Sequence, residues 1–163
     1  MDRCMALRAK LLGCERCTFD CTVTADYGDA LQSFSLHCEG EADGNLGFEV
    51  LNPESIAGIT GRFGDGEGEL TFDEAALSFP LLADDQVTPV SAPWILLKTL
   101  LGGYLTACGM EEDLLRLTIN DSYEDDALQL EIWLNDDDQP VQAEIIYCGR
   151  RIITMEVEKF QIT

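Results

Sequence analysis

Positive charge is what this sequence has least of. Its 163 residues hold 10 Lys and Arg against 31 Asp and Glu, with one His, for a formal net charge of −21 at pH 7. Binding DNA, RNA or anionic lipid headgroups needs clustered cations that neutralise phosphate, and the ten present are scattered, so those functions are excluded. Histidine is nearly absent too. His37 alternates with Ser33 and Ser35 on the strand face opposite Cys38, so base and nucleophile would point apart, and His37 is read as a solvent-facing strand residue. There is no Gly-x-Ser-x-Gly elbow and no His-Glu-x-x-His helix. Catalytic residues and cofactors are therefore expected to be none. Long apolar runs are missing as well: the greasiest stretch, 92–110, contains Pro93, Lys98, Gly102 and Gly103. A central Lys costs about 2.5–3.5 kcal/mol in a membrane span, so this stretch predicts a helix followed by a loop and no transmembrane segment.

What is present is enough to fold. The chain is 46% hydrophobic and 25% charged, average values for a globular protein, so the acidity reflects missing cations and not a disordered composition. Its length suits a single domain over 1–163, with no linker-like stretch to divide it. Seven cysteines make an odd number at irregular spacings, which is no disulfide framework.

Periodicity predicts the organisation. A short helix over 1–13 precedes period-two alternation, in which Phe19, Cys21, Val23 and Ala25 interleave with Asp20, Thr22, Thr24 and Asp26. Hairpins follow through Phe34-Leu36-Cys38 and Phe48-Val50, with turns at Tyr27 to Asp29 and Glu41 to Gly44. Asn52-Pro53 breaks the ladder, and Ile56 and Ile59, the Gly64 to Gly68 turn and the runs Leu70-Phe72 and Leu77-Phe79 extend the meander. A second helix over 91–102 opens with Ser91 as N-cap and Pro93 in the first turn, with Lys98 and Thr99 as its polar edge. Strands resume at Leu115-Ile119, Leu128-Leu134, Val141-Tyr147 and Ile153-Val157. The fold class is α+β: a large curved antiparallel sheet, an open, unclosed β-barrel of about ten strands, wrapping two or three helices.

Several residues invite chemical readings. Cys14-x2-Cys17-x3-Cys21 has metal-like spacing, but no second pair supplies a fourth ligand, and the simpler reading is core filling with no metal. The acidic clusters at Glu124 to Asp126 and Asp136 to Asp138 lack calcium-loop spacing and read as turn tips, while Asp20, Glu131, Glu144 and Glu156 take the outward strand parity. Phe34, Phe48, Phe72, Phe79, Trp94, Leu97 and Leu101 share inward parity. A curved sheet closing over the second helix would gather them around an apolar interior, either filled or open to an acyl chain. Trp133 takes outward parity, to be covered by the N-terminal helix or a partner.

The order of N-terminal helix, meander from Phe19, Val-x-x-Pro-Glu-x-Ile-x-Gly-Ile from Val50 to Ile59, Ser-Ala-Pro helix at Ser91 and closing strands from Pro140 to Phe160 resembles the bacterial lipoprotein localisation factors. It is most similar to the uncharacterised LolA-like lipoproteins of Clostridia-type Gram-positive bacteria. That resemblance implies a non-enzymatic cell-envelope protein with an apolar pocket for a lipid, an acyl chain or a hydrophobic segment of an envelope protein partner. The alternative is an acidic protein-protein interaction module with a filled core. The resemblance also implies an extracytoplasmic location and a lipid anchor whose export signal lies ahead of Met1.

Overall fold

Two antiparallel meanders are joined by their outermost strands in sequence. A computed structural model describes residues 2–63, 89–125 and 127–163. The first meander follows helix α1 (Asp2–Leu12) and comprises β1 (Cys17–Asp26), β2 (Leu31–Gly40), β3 (Leu46–Asn52) and β4 (Thr60–Phe63). Helix α2 (Ala92–Gly102) leads to the second: β5 (Tyr104–Glu111), β6 (Leu114–Asn120), β7 (Gln129–Leu134), β8 (Pro140–Tyr147) and β9 (Arg150–Ile162). β1 pairs with β9, giving one nine-stranded sheet in the order β4-β3-β2-β1-β9-β8-β7-β6-β5. All its pairings are antiparallel, and among the described residues β4 and β5 do not pair, so these nine strands do not close into a barrel. The predicted turn at Gly64 to Gly68 and the predicted strands at Leu70-Phe72 and Leu77-Phe79 lie outside the described residues.

Alternation places the core on one face. Cys17, Phe19, Cys21, Val23 and Ala25 of β1 are buried, opposite Leu36 and Cys38 of β2 and Met155 and Val157 of β9. Leu130, Ile132 and Leu134 of β7 are wholly buried, and each such side chain contributes about 1.5–3 kcal/mol of transfer free energy. Against this face lie Cys4, Leu7 and Leu11 of α1, spaced to form one stripe, and most of α2. Gly40 admits α2 closely, since a Cβ there would stand 2.7 Å from Leu97 Cδ2 and 3.0 Å from Cys17 Sγ.

Four expectations are corrected. Tyr104–Glu111, expected as loop, is strand β5; seven of its eight residues are exposed, so it carries no period-two burial signal. Glu131 is buried rather than displayed, because neighbours on β6 and on its own strand satisfy it: Arg116 Nε donates at 2.9 Å and Thr118 Oγ1 at 2.8 Å across the pair, and Gln129 Nε2 at 3.0 Å along β7. The hydrogen bond to Glu131, followed by one to Glu111, raises the Arg116 pKa. Ser91 holds the N-cap position as expected but makes no side-chain cap hydrogen bond there; it has right-handed helical backbone and ends the 3-10 turn Pro89–Ser91 that runs into α2. Thr99, expected at the polar edge, is buried and donates its hydroxyl to Ile95 O at 2.7 Å. Trp133 is buried on the outward face, with the Arg116 guanidinium 5.4 Å from its ring centre.

Candidate functional site

Helix α2 is apolar around nearly its whole circumference, and the sheet and α1 cover nearly all of it. Ala92, Pro93, Ile95, Leu96, Leu97, Thr99 and Leu100 are buried. Apart from exposed Gly102 at its end, what remains is one stripe at i, i+4, i+7: Trp94 and Leu101 are partly exposed, and Lys98 between them is exposed.

The stripe is rigidly backed. Trp94 donates Nε1–H to Gly44 O in the β2–β3 turn at 3.0 Å, and its ring stacks on Phe63 with centroids 5.1 Å apart. Phe63 stacks in turn on Phe48 at 5.6 Å. On the solvent side the Lys98 ammonium stands 3.6 Å from the Trp94 ring centre, a cation–π contact set by i, i+4 spacing. Aromatic stacking of this kind adds about 0.5–1.5 kcal/mol per pair beyond area burial, so the column fixes the outer face of α2.

The last turn of α2 is pinned by α1. Arg8 donates to Leu100 O at 2.8 Å, to Gly103 O at 2.9 Å and to Thr99 O at 3.3 Å, placing a cation at the helix's negative end. Beside this turn, Ile95, Lys98, Thr99, Gly102, Gly103 and Asp121 line a cavity of about 210 Å³. Its lining is mostly polar, with Lys98, Thr99 and Asp121 around Ile95, the one large apolar side chain in it.

The predicted pocket residues fall into three groups. Phe34, Phe48 and Leu97 are buried at 4, 4 and 2% exposure. Trp94 and Leu101 pack against the core while keeping part of their surface in solvent. Phe72 and Phe79 lie outside the described residues. Phe63 was missed; its only signal was alternation with Gly61, too short a run to mark an inward row.

The remaining candidates take quieter places. His37 bonds through Nδ1 to Asp20 at 2.7 Å on the outward face. Cys17, Cys21 and Cys38 are buried in the core. Burial pushes the Cys17 thiol up to about 11 and holds Cys21 and Cys38 well above the usual thiol range. No helix among the described residues is long and apolar enough to cross a membrane.

No family model matches this chain, and no curated protein matches its sequence. Solved structures do. One is an uncharacterised conserved protein from Thermus thermophilus, at 11% identity and a TM-score of 0.49, covering 98% of this chain and 86% of that one. Another is a LolA superfamily protein from Nitrosomonas europaea, at 9% identity and a TM-score of 0.43, covering 98% and 93%. A third is the Mycobacterium tuberculosis lipoprotein LppX, at 15% identity and a TM-score of 0.40, covering 98% and 95%. The likeness is one of fold. At such identities and scores no ligand or partner passes from these proteins to this chain.

Proposed function

We propose that this chain is a non-enzymatic binding protein of the cell envelope, a single lipoprotein-carrier-like domain that holds an acyl chain, a lipid or a hydrophobic protein segment against α2 in the mouth of the open sheet. The supporting observation is the Trp94–Lys98–Leu101 stripe: a helix otherwise largely buried keeps Trp94 and Leu101 partly in water on either side of exposed Lys98, with Trp94 stacked on Phe63 and Phe63 on Phe48. A preformed, rigid apolar surface binds at a smaller ordering cost than a flexible one. The adjoining cavity of about 210 Å³ falls below the roughly 300–1,000 Å³ of whole small-molecule sites, and its Lys98, Thr99 and Asp121 lining suits the polar end of a ligand whose apolar part lies along Trp94 and Leu101. In this reading the protein acts outside the cytoplasm as an anchored lipoprotein of the LolA-like group found in Clostridia-type bacteria, and its acidic outer surface holds the body away from an anionic bilayer.

The second reading, an acidic interaction module with a filled core, draws on the burial of Phe34, Phe48 and Leu97. Displacement of a fluorescent fatty acid separates the two. Binding at micromolar concentrations that is lost in Trp94→Ala, while the unfolding transition stays cooperative, supports the carrier. A protein that takes up no fluorescent fatty acid and releases no lipid on extraction is the filled module.

A further inference from the structure

Cys14 and Cys17 stand two residues apart where α1 passes into β1, and the chain between them is curled. It bends at Glu15, and the N–H groups of Glu15 and Arg16 both donate to Thr163 O, at 2.9 and 3.5 Å. Successive amides of an extended strand point to opposite sides, so two that converge on one oxygen mark a tight turn. Thr163 N–H returns to Arg16 O at 2.9 Å and fixes that turn against the end of β9. Ahead of it, Gly13 N–H bonds Ala9 O at 3.1 Å and Cys14 N–H bonds Leu11 O at 3.4 Å, so the last turn of α1 delivers Cys14 directly to the bend. A disulfide needs Cα atoms roughly 4.4–6.8 Å apart, a span that a turn of this length supplies. The two sulfurs also feel one another: burial is the main reason that the Cys17 thiol is pushed up, and Cys14 is the second.

The pair is asymmetric in access. Cys14 is partly exposed, and its thiol donates to Leu11 O at 3.0 Å. Cys17 is 1% exposed; it accepts a backbone hydrogen bond from Gly40, and a Cβ on Gly40 would stand 3.0 Å from its Sγ. A reagent arriving from solvent therefore meets Cys14 and not Cys17. The other thiols of β1 and β2 are poorly placed to answer Cys14. Cys21 lies four residues further along β1, about 13 Å at the rise of a strand, and Cys38 is wholly buried opposite Phe19. Among the described residues no group of three His, Cys, Asp or Glu side chains is arranged to hold a metal ion, which leaves sulfur exchange as the chemistry of this pair.

We propose that Cys14 and Cys17 form a dithiol that exchanges with small organic disulfides, Cys14 as the attacking thiol and Cys17 as the resolving one, to leave an internal Cys14–Cys17 disulfide. Cys14 gives up its proton, and its thiolate attacks one sulfur of R–S–S–R. A mixed disulfide forms on Cys14, and R–S⁻ departs and takes up a proton. Cys17 then gives up its proton, attacks Cys14 Sγ and expels the second R–S⁻, which is protonated in turn. Two electrons and two protons pass from the protein to the small disulfide, which leaves as two thiols. Burial keeps Cys17 protonated, so the second step is the slower one and quickens as pH rises.

The test treats the whole reduced chain with oxidised glutathione, alkylates the remaining thiols, and cleaves after Arg16 and before Asp20, which separates Cys14, Cys17 and Cys21 from one another. The fragment ending at Arg16 is expected to emerge joined to Cys17-Thr18-Phe19. In Cys17→Ala, glutathione should instead remain on Cys14, at a level at least about tenfold above that in the native chain. In Cys14→Ser, whose thermal midpoint should stay unchanged, Cys17 should acquire neither glutathione nor a bond until the chain is unfolded. Resolution of the mixed disulfide in the native chain should accelerate about tenfold per pH unit below the Cys17 value, as thiolate supply dictates. Glutathione that stays on Cys14 of the native chain, a Cys14 that does not react, a bond from Cys14 to Cys21 or Cys38, or a Cys14–Cys17 bond that forms only in urea would each overturn the proposal.

Discussion

The β1–β9 seam and the β5 edge belong to one sheet but present opposite environments. At the seam, every inward residue of β1 is buried, strands flank it on both sides, and Glu15 and Thr163 lock the chain ends through Glu15 N–H to Thr163 O at 2.9 Å. At β5 the same alternation of side chains continues, yet seven of eight residues are exposed and one backbone edge has no strand partner among the described residues. Among the described residues, strand geometry is thus held at the seam by burial and at β5 by its pairing with β6. The lesson is that a strand can be fixed by its neighbour's register while leaving its own surface for use.

That contrast is breakable at several points. The largest effect should come from truncating the wholly buried row: Leu130→Ala is expected to cost about 2–5 kcal/mol in urea unfolding, against about 0.5 kcal/mol or less for Met110→Ala. Equal losses would mean that β5 is as tightly packed as the centre. Next come two glycines at either end of the same edge. A Cβ at Gly103 would stand 2.5 Å from Ile119 Cγ2 and 2.8 Å from Thr99 O, whereas nothing lies within 4 Å of one at Gly109. Gly103→Ala should therefore destabilise by about 1–3 kcal/mol and Gly109→Ala by almost nothing, measured the same way.

A further contrast is expected above neutral pH. Cys17 lies in the seam with its thiol pushed up to about 11 by burial, so folding favours its protonated form. Its contribution is complete below the unfolded thiol value near 9 and is lost as pH rises through about 11, because only the unfolded chain releases the proton easily. The urea midpoint should fall over that window, and less steeply in Cys17→Ala. An unchanged slope in that variant would remove Cys17 from the account.

How much of this could be read from the sequence followed burial. β1, β2, β6, β7, β8 and β9 were legible because each buries one face, so Phe19-Cys21-Val23 or Leu128-Leu130-Ile132 alternates visibly. The α2 helix was legible from Pro93 and the dense apolar run, and Trp94 was rightly placed on it. β5 was invisible for the reason it is interesting: it buries neither face, and Gly102-Gly103 ahead of it signals a loop. Glu131 was misplaced because strand parity gives the face but not what lies across it; Arg116 and Thr118 come from another strand, and only register brings them to the carboxylate. The Phe48–Phe63–Trp94 column likewise joins three elements that no local window contains.

The central claim is that β5 is a formed strand whose outer edge meets no strand among the described residues. Residue-resolved amide hydrogen exchange tests it most directly. The account predicts strong protection throughout β1 and β9, and in β5 an alternation in which amides bonded to β6 exchange slowly while those facing outward exchange nearly as fast as in an unfolded chain. Uniform protection along β5, matching β1, would contradict it.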